Sequence, residues 1–322
     1  MNLRSKILMT LFALGTILMS SCDSLIYEDM TDCPQGVYVK FYSMTPCAVD
    51  SAFIGNVPSL TVFAFDDRDL LAVVVVEQNV NLNSDFNVFF PVSNGNYSFT
   101  AWAGIDGNFD VRSFTPGVTT KKDVMLALNA TDAIAANLQN TRVWRGESPV
   151  VNLPNPAEYG TVYKYTAVNL QEVTNRIKLI VEIDPLVEDV TPQDLAVAVS
   201  SANGVINING TMPIGSEILN YPILNTSYTD NSVTWDFTLM ELVTGYNNRL
   251  NIVYAERDHV VFNGDLIGSI LLNTIENNVN LACENDFTVK FVLRDYCAEC
   301  ATHFSCGIFV NGWPVHSYEI EF

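Results

Sequence analysis

The sequence predicts an all-β protein that follows an export signal. Nearly every periodic segment of its 322 residues is a short run rich in β-branched and aromatic residues. Turn residues separate these runs, and amphipathic helical patterns are almost absent. Many short strands without helices are typical of β-sandwiches. Because the chain is long enough for two ordinary domains, we expect two tandem β-sandwiches.

The N-terminus has the features of a lipoprotein signal peptide, which we assign to residues 1–21. Arg4 and Lys6 form a short basic region, and residues 7–19 form an apolar stretch too short for a comfortable membrane span. Two serines then precede Cys22. Small residues directly before a cysteine indicate lipidation, so we predict a diacylglycerol and an N-acyl chain on Cys22. The alternatives are an ordinary signal peptide with a chance cysteine and a membrane helix.

The mature chain is strongly acidic. Cleavage would remove two of the 16 basic residues and none of the 36 acidic ones, which leaves a net charge of −22. Such a chain is a poor ligand for nucleic acid and for anionic lipid headgroups. Residues 22–35 form an acidic tether, and the first basic residue after Cys22 is Lys40. An Arg- or Lys-specific protease could therefore not cut this tether.

The first predicted domain covers residues 36–155. We expect residues 66–69 to form the polar turn of a hairpin. The unalternating run 72–76 indicates a central strand buried on both faces. A short helix is a weaker expectation for residues 131–140. The predicted strands of this domain are residues 37–42, 60–65, 70–76, 88–90, 97–102 and 124–128.

The second predicted domain covers residues 156–322. Glycine and three prolines interrupt the strand pattern within residues 145–160, and we place the boundary there. Residues 203–221 are rich in Gly and Asn, which predicts a loop. The predicted strands are residues 161–170, 177–183, 195–199, 233–239, 249–255, 260–272, 287–293 and 308–310, with a last one from Trp313 onward.

The C-terminus predicts a hairpin. Asn311-Gly312 is a strong turn signal between two strand-like runs. Beyond it the residues alternate, so that Tyr318, Ile320 and Phe322 would share one face of a strand. This strand could close the protein's own sandwich, or it could pair with a neighbouring protein.

Six cysteines remain once Cys22 is lipidated, and an even number in an exported protein indicates three disulfides. They fall into a group near the first strand and a group near the C-terminus, and pairing within each group is the simplest hypothesis. Six cysteines permit 15 connectivities, so the sequence leaves the pattern open. The candidates are Cys33 and Cys47 in the first group and Cys283, Cys297, Cys300 and Cys306 in the second.

One cluster of residues near the C-terminus has the composition of a metal site. Cys297, Cys300, His303 and Cys306 have a spacing that could supply tetrahedral zinc ligands. An oxidising compartment favours disulfides instead, so we predict no metal and no cofactor apart from the lipid. No Gly-x-Ser-x-Gly, phosphate-binding loop or His-Glu-x-x-His motif occurs. We therefore predict that the protein is not an enzyme.

Four short motifs add a resemblance to a known family. They are Tyr-Glu-Asp at 27–29, Cys-Pro-Gln-Gly-Val at 33–37, Thr-Asn-Arg-Ile at 174–177 and Val-Asn-Gly-Trp at 310–313. With the lipoprotein signal, they make the chain similar to the FimB-type fimbrial anchor lipoproteins of Bacteroidales. The resemblance covers essentially the whole mature chain, and it implies two transthyretin-like domains.

The resemblance also implies a function. We expect a lipoprotein of the outer membrane that lies at the base of a fimbrium, exposed at the cell surface. It would join the first shaft subunit by strand pairing; whether it also limits fimbrial length is left open. The alternative is a surface glycan-binding lipoprotein, which would carry an exposed platform of aromatic rings. Its candidate tryptophans are Trp102, Trp144, Trp235 and Trp313.

Overall fold

The computed structural model describes residues 30–319, except 112, 186, 188, 189, 256–258, 272–278, 295–304, 311 and 312. The predicted signal and most of the tether therefore lie outside the described residues. The first strands are β1 (Gln35–Tyr42), β2 (Gly55–Phe65), β3 (Leu71–Leu82), β4 (Asn87–Phe90), β5 (Gly95–Ala103), β6 (Phe109–Asp110), β7 (Met125–Leu128), β8 (Ala130–Thr131), β9 (Ile134–Ala135), β10 (Trp144–Glu147), β11 (Val151–Leu153) and β12 (Val162–Glu172).

The remaining strands follow Val173. They are β13 (Thr174–Ile183), β14 (Leu195–Ser201), β15 (Val205–Asn207), β16 (Leu219–Tyr221), β17 (Asn225–Tyr228), β18 (Ser232–Met240), β19 (Arg249–Tyr254), β20 (His259–Asp265), β21 (Asp286–Leu293), β22 (Ser305–Val310) and β23 (Trp313–Glu319). Two short helices, α1 (Pro156–Tyr159) and α2 (Leu266–Leu271), and three single-turn 3-10 helices, Met30–Asp32, Lys121–Asp123 and Pro192–Asp194, complete the described elements. The predicted all-β class is confirmed.

The first sheet has the order β3-β2-β5-β10-β12-β1-β4, with β11 paired to β5. β1 pairs with β12 in parallel and with β4 antiparallel, so the first strand of the chain lies inside the sheet. The inner face of this sheet carries every second side chain of its strands, and Val37, Leu60 and Phe99 on this face are fully buried. The rings of Phe90 on β4 and Phe99 on β5 are 5.0 Å apart. Strands distant in the sheet order thus meet, because the sheet curves around one core.

Two further sheets enclose a second core. One has the order β17-β18-β13-β21-β22-β23, and the other has the order β20-β19-β14-β16-β9-β8. Leu179 on β13, Trp235 on β18 and Ile252 on β19 are buried together in this core. Phe63 on β2 belongs to it as well, so the first sheet is packed on both faces along β2 and β5. A small sheet β15-β7-β6 completes the arrangement.

The observed strand pairs test several of the predictions made from the sequence. The hairpin around residues 66–69 is confirmed, because β2 pairs antiparallel with β3. The expectation of a central strand at residues 72–76 is wrong: β3 ends the sheet order, and Val76 is 56% exposed. The helix considered for residues 131–140 is also wrong, since β8 and β9 pair there. The predicted loop 203–221 contains the short strands β15 and β16.

The division into residues 36–155 and 156–322 stays a prediction. β12 follows that boundary in sequence and yet pairs with β1 and β10 in the first sheet. Strands β7 and β9 precede it and pair with β15 and β16. Judged by pairing alone, we place the change from first to second sheet at Val173.

Candidate functional site

The C-terminal hairpin lies at the edge of the second sheet. β22 pairs antiparallel with β21 and with β23, and β23 is the last strand in the order. The register places Val310 opposite Trp313, which confirms the hairpin predicted at Asn311-Gly312. A register shift lies near Pro314, a residue that cannot donate a ladder hydrogen bond.

This edge can accept another strand. Along its outer side β23 has no strand neighbour among the described residues, so its backbone groups there are a template for pairing. Tyr318, one of the predicted pairing residues, lies on β23 opposite Cys306. The other two, Ile320 and Phe322, lie outside the described residues. β23 thus belongs to its own sheet on one side while the other side is open.

A disulfide joins the two halves of the chain. Cys47 in the loop after β1 is bonded to Cys283, which precedes β21, across 236 residues of sequence. The hypothesis of pairing within each group is therefore wrong for these two cysteines. Spacing could not reveal their proximity, because the fold brings the first strand's loop to the second sheet. Cys33 has a free thiol, which also contradicts its expected place among three disulfides.

An ion-pair cluster lies where the two sheets meet, at the junction of β12 and β13. Arg176 donates to Asp286 at 2.5 and 2.8 Å and also pairs with Glu172. The Asn285 amide donates to the carbonyls of Glu172 and Thr174 at 3.3 and 3.0 Å. The hydrogen bonds from Arg176 hold the pKa of Asp286 below its ordinary value. This cluster links the last residues of the first sheet to the start of β21.

A second charged pair lies in a neighbouring cavity of about 210 Å³. Its walls include Arg145, Glu241, Gly210 and residues next to the disulfide. Burial raises the pKa of Glu241, and the nearby Arg145 charge opposes that rise. Arg145 also donates from Nε to the Ile208 carbonyl at 2.5 Å, which ties β10 to a loop of the second core. The cavity is therefore part of the seam between the sheets.

An exposed group of aromatic rings is the feature that the sequence reasoning missed. Tyr38, Phe89, Tyr163 and Tyr165, here called the ring cluster, come from β1, β4 and β12. The Tyr38 and Tyr165 rings stack with centroids 5.2 Å apart, and Phe89 lies 4.8 Å from Tyr38. A Cβ on Gly36 would be 2.3 Å from the Phe89 ring, so only glycine admits the ring at that place. In the sequence, the alternation of Tyr163 and Tyr165 indicates that both rings lie on one face of a strand. It does not indicate that Tyr38 and Phe89 lie beside them, because the sequence does not give the strand partners.

The three tryptophans whose side chains are described do not form the exposed platform considered for the glycan alternative. Trp102 and Trp235 are both 2% exposed and belong to the second core. Trp144 is half-buried in β10, and nothing is described of the Trp313 side chain.

Several predicted site residues lie outside the description. They are Cys22, Cys297, Cys300 and His303, together with the side chain of Cys306. Their predicted roles stay predictions. Among the described residues there is no cluster of three His, Cys, Asp or Glu side chains suited to a metal ion. In the same part of the chain, no helix has the length and hydrophobicity needed to cross a membrane.

Comparison with known proteins gives a consistent result. The family model of the fimbrillin-A associated anchor proteins Mfa1 and Mfa2 matches residues 30–319. The minor fimbrium anchoring subunit Mfa2 of Porphyromonas gingivalis is 33% identical over 304 residues, which cover 94% of this chain and 92% of that protein.

Solved structures agree with this match. The fimbrial anchor protein Mfa2 from P. gingivalis superposes with a TM-score of 0.78 at 32% identity, over 89% of this chain and all of that one. A protein from Bacteroides thetaiotaomicron, described as a candidate polysaccharide-binding protein, has a TM-score of 0.72 at 22% identity. It covers 90% of this chain and 99% of its own, and at that identity it supports the fold alone.

Proposed function

Because this chain belongs to the family of fimbrillin-A associated anchor proteins, a family of structural fimbrial subunits at the cell surface, we propose how it performs the anchoring role. The lipid on Cys22 holds it in the outer membrane, and an open strand edge joins it to the first shaft subunit. No step requires catalysis. The observation that carries the proposal is the family match across residues 30–319, which includes the β22–β23 hairpin.

The edge of β23 suits the joint for a physical reason. An added strand gains main-chain hydrogen bonds along the whole edge, and alternate side chains set its register. β17, at the opposite edge of the same sheet, is exposed along its length but only four residues long. β23 has seven residues and so offers a longer edge for an added strand. We therefore assign the shaft contact to β23.

The tether supports a permanent anchor. The resemblance to the fimbrial anchor lipoproteins implies that the shaft subunits, unlike the anchor, lose their first strand to an Arg- or Lys-specific protease. Here no Lys or Arg occurs between Cys22 and Lys40, and β1 is paired on both sides within its sheet. The chain therefore keeps β1, and β1 stays covalently joined to the lipidated residue.

Truncation after His316 tests the joint. The variant loses Ser317 to Phe322, which include the last three residues of β23. β22 stays paired to β21. We expect a folded, lipidated protein in the membrane and fimbriae in the medium that lack this chain. Loss of the protein itself would show that β23 is needed for its own sheet, and retention of fimbriae would show that the shaft binds elsewhere.

Cys22→Ala is the matched control, because it breaks the other end of the connection. Fimbriae should again be shed, but now with this chain still attached to them. Fatty-acid labelling of the wild-type protein completes the test. Wild-type protein without label would refute the lipid anchor while leaving the strand joint open to its own test.

A further inference from the structure

The ring cluster is an exposed aromatic surface with no partner of its own in the described chain. Tyr165 is 72% exposed, Tyr163 is 43% exposed and Phe89 is 38% exposed. All lie on the outward face of adjacent strands, since Tyr38 is opposite both Phe89 and Tyr165 in the register. The inner face of the same strands is closed by the first core. The cluster is therefore a set of aromatic rings that the described residues leave uncovered.

The chain enters the fold beside this cluster. The 3-10 helix Met30–Asp32 packs against α1, with the Met30 sulfur 3.4 Å from the place where a Cβ on Gly160 would be. Tyr163, the first residue of β12 that belongs to the ring cluster, is three positions after Gly160. Eight residue steps separate Met30 from Cys22, which at about 3.5 Å each allow a reach of about 28 Å. A lipid on Cys22 would keep Met30, where the chain enters the fold, within that distance of the bilayer.

The charges on these strands differ from those of the whole chain. The sequence has a net charge of −20, yet β1, β4 and β12 carry Lys40 and Lys164 and a single acid, Glu172, at the far end of β12. These three strands themselves therefore add almost no negative charge that would repel a lipid headgroup layer, and the acids nearby belong to the tether and to α1. Tyrosine is also suited to such a layer, because its ring is apolar and its hydroxyl is polar.

We propose that the ring cluster lies against the lipid interface when Cys22 is anchored. The apolar parts of Phe89 and the tyrosines contact the acyl–headgroup boundary, and the hydroxyls of Tyr163 and Tyr165 remain among the hydrated headgroups. The cluster gives the body a defined face toward the membrane, which a flexible tether alone cannot do. The inference rests on the proposed lipid anchor at Cys22 and goes beyond it.

Fluorescence quenching by brominated lipid tests this contact. The full lipidated protein is placed in phosphatidylcholine vesicles with or without brominated acyl chains. Tyr165→Trp adds an exposed reporter at the cluster, and Tyr228→Trp adds one at a 48% exposed site on β17 of the second sheet. The native tryptophans are common to both variants. We expect bromination to reduce the fluorescence of Tyr165→Trp more than that of Tyr228→Trp.

The outcomes separate the two claims. Wild-type protein that fails to float with vesicles would refute the lipid anchor. Flotation with equal quenching in both variants would leave the anchor intact and overturn the membrane contact of the cluster. Fluorescence of Tyr165→Trp that responds to soluble polysaccharide, and not to brominated lipid, would assign the rings to a carbohydrate and would also overturn the inference.

Discussion

Removal of the Cys47–Cys283 disulfide should cost much of the protein's stability. The bridge closes a loop of 236 residues, which contains both sheet cores almost completely. The loop-entropy relation gives about 5.5 kcal/mol for this length at 25 °C, and removal of native disulfides typically costs about 2–5 kcal/mol. The Arg176 ion pairs also hold the seam, and they remain in the variant. We therefore expect Cys47→Ala with Cys283→Ala to lower the free energy of unfolding by about 2–5 kcal/mol.

Urea unfolding followed by tryptophan fluorescence measures this loss. The buried Trp102 and Trp235 report on packing of the second core, against which the first sheet also packs. Cys33→Ser is the control, because that thiol is free and its loss should leave the midpoint unchanged. Equal midpoints for the double variant and the wild type would refute the reasoning. Peptide mapping of unreduced protein without a Cys47–Cys283 link would refute the bridge itself.

Three further changes have defined outcomes. Tyr221→Phe removes the buried hydroxyl that donates to Asn203 Oδ1 at 2.6 Å, and the unpaired amide oxygen should cost about 1–3 kcal/mol in urea unfolding. Trp235→Ala opens a cavity in the second core and should cost about 3–5 kcal/mol by the same assay. The folded pKa of Asp286 is lowered by Arg176, so this pair contributes stability above the unfolded pKa of about 3.9 that is lost as pH falls through the folded pKa. Arg176→Gln should therefore flatten the loss of thermal stability on acidification, and an unchanged pH profile would contradict this.

Local patterns predicted most of the long strands and several turns. The strand predicted at residues 260–272 is wrong in its second half, because β20 ends at Asp265 and α2 follows. The run from Val37 to Tyr42 lies within β1, and the strands on either side of the predicted turn pair as a hairpin, with Val310 opposite Trp313. These predictions succeeded because side-chain alternation and turn chemistry depend on neighbours in sequence. The whole-chain resemblance then supplied the family, which the comparisons confirm.

Position within a sheet could not be predicted in the same way. The run at residues 72–76 is apolar enough for a central strand, but β3 lies at an edge because none of the described strands pairs beyond it. The Cys47–Cys283 bridge likewise depends on β1 pairing with β12, which directs the loop after β1 to the seam. Both features follow from pairings between residues that are distant in sequence, and the periodicity of a segment does not indicate its distant partners.

The ring cluster could not be predicted from the sequence for a related reason. Tyr38, Phe89 and Tyr163 are separated by 51 and 74 positions, and each alone is an ordinary strand residue. Only the register of β4, β1 and β12 brings them onto one face. The tryptophans that were candidates for an aromatic platform are not part of this cluster, and two of the four are core residues.

The position of the disulfide has a mechanical consequence for a protein held at one end by lipid. With the bridge closed, tension applied between Cys22 and the C-terminus can extend only the segments outside residues 47 and 283. Even complete unravelling of both cores would add no contour length from the 236 residues inside the loop. At about 3.5 Å per residue, reduction of the bridge would free about 830 Å of slack. In the proposed anchoring, in which lipid holds Cys22 and the shaft pulls on β23, this covalent link would keep the anchor short under shear and a fimbrium pulled by flow close to the cell surface.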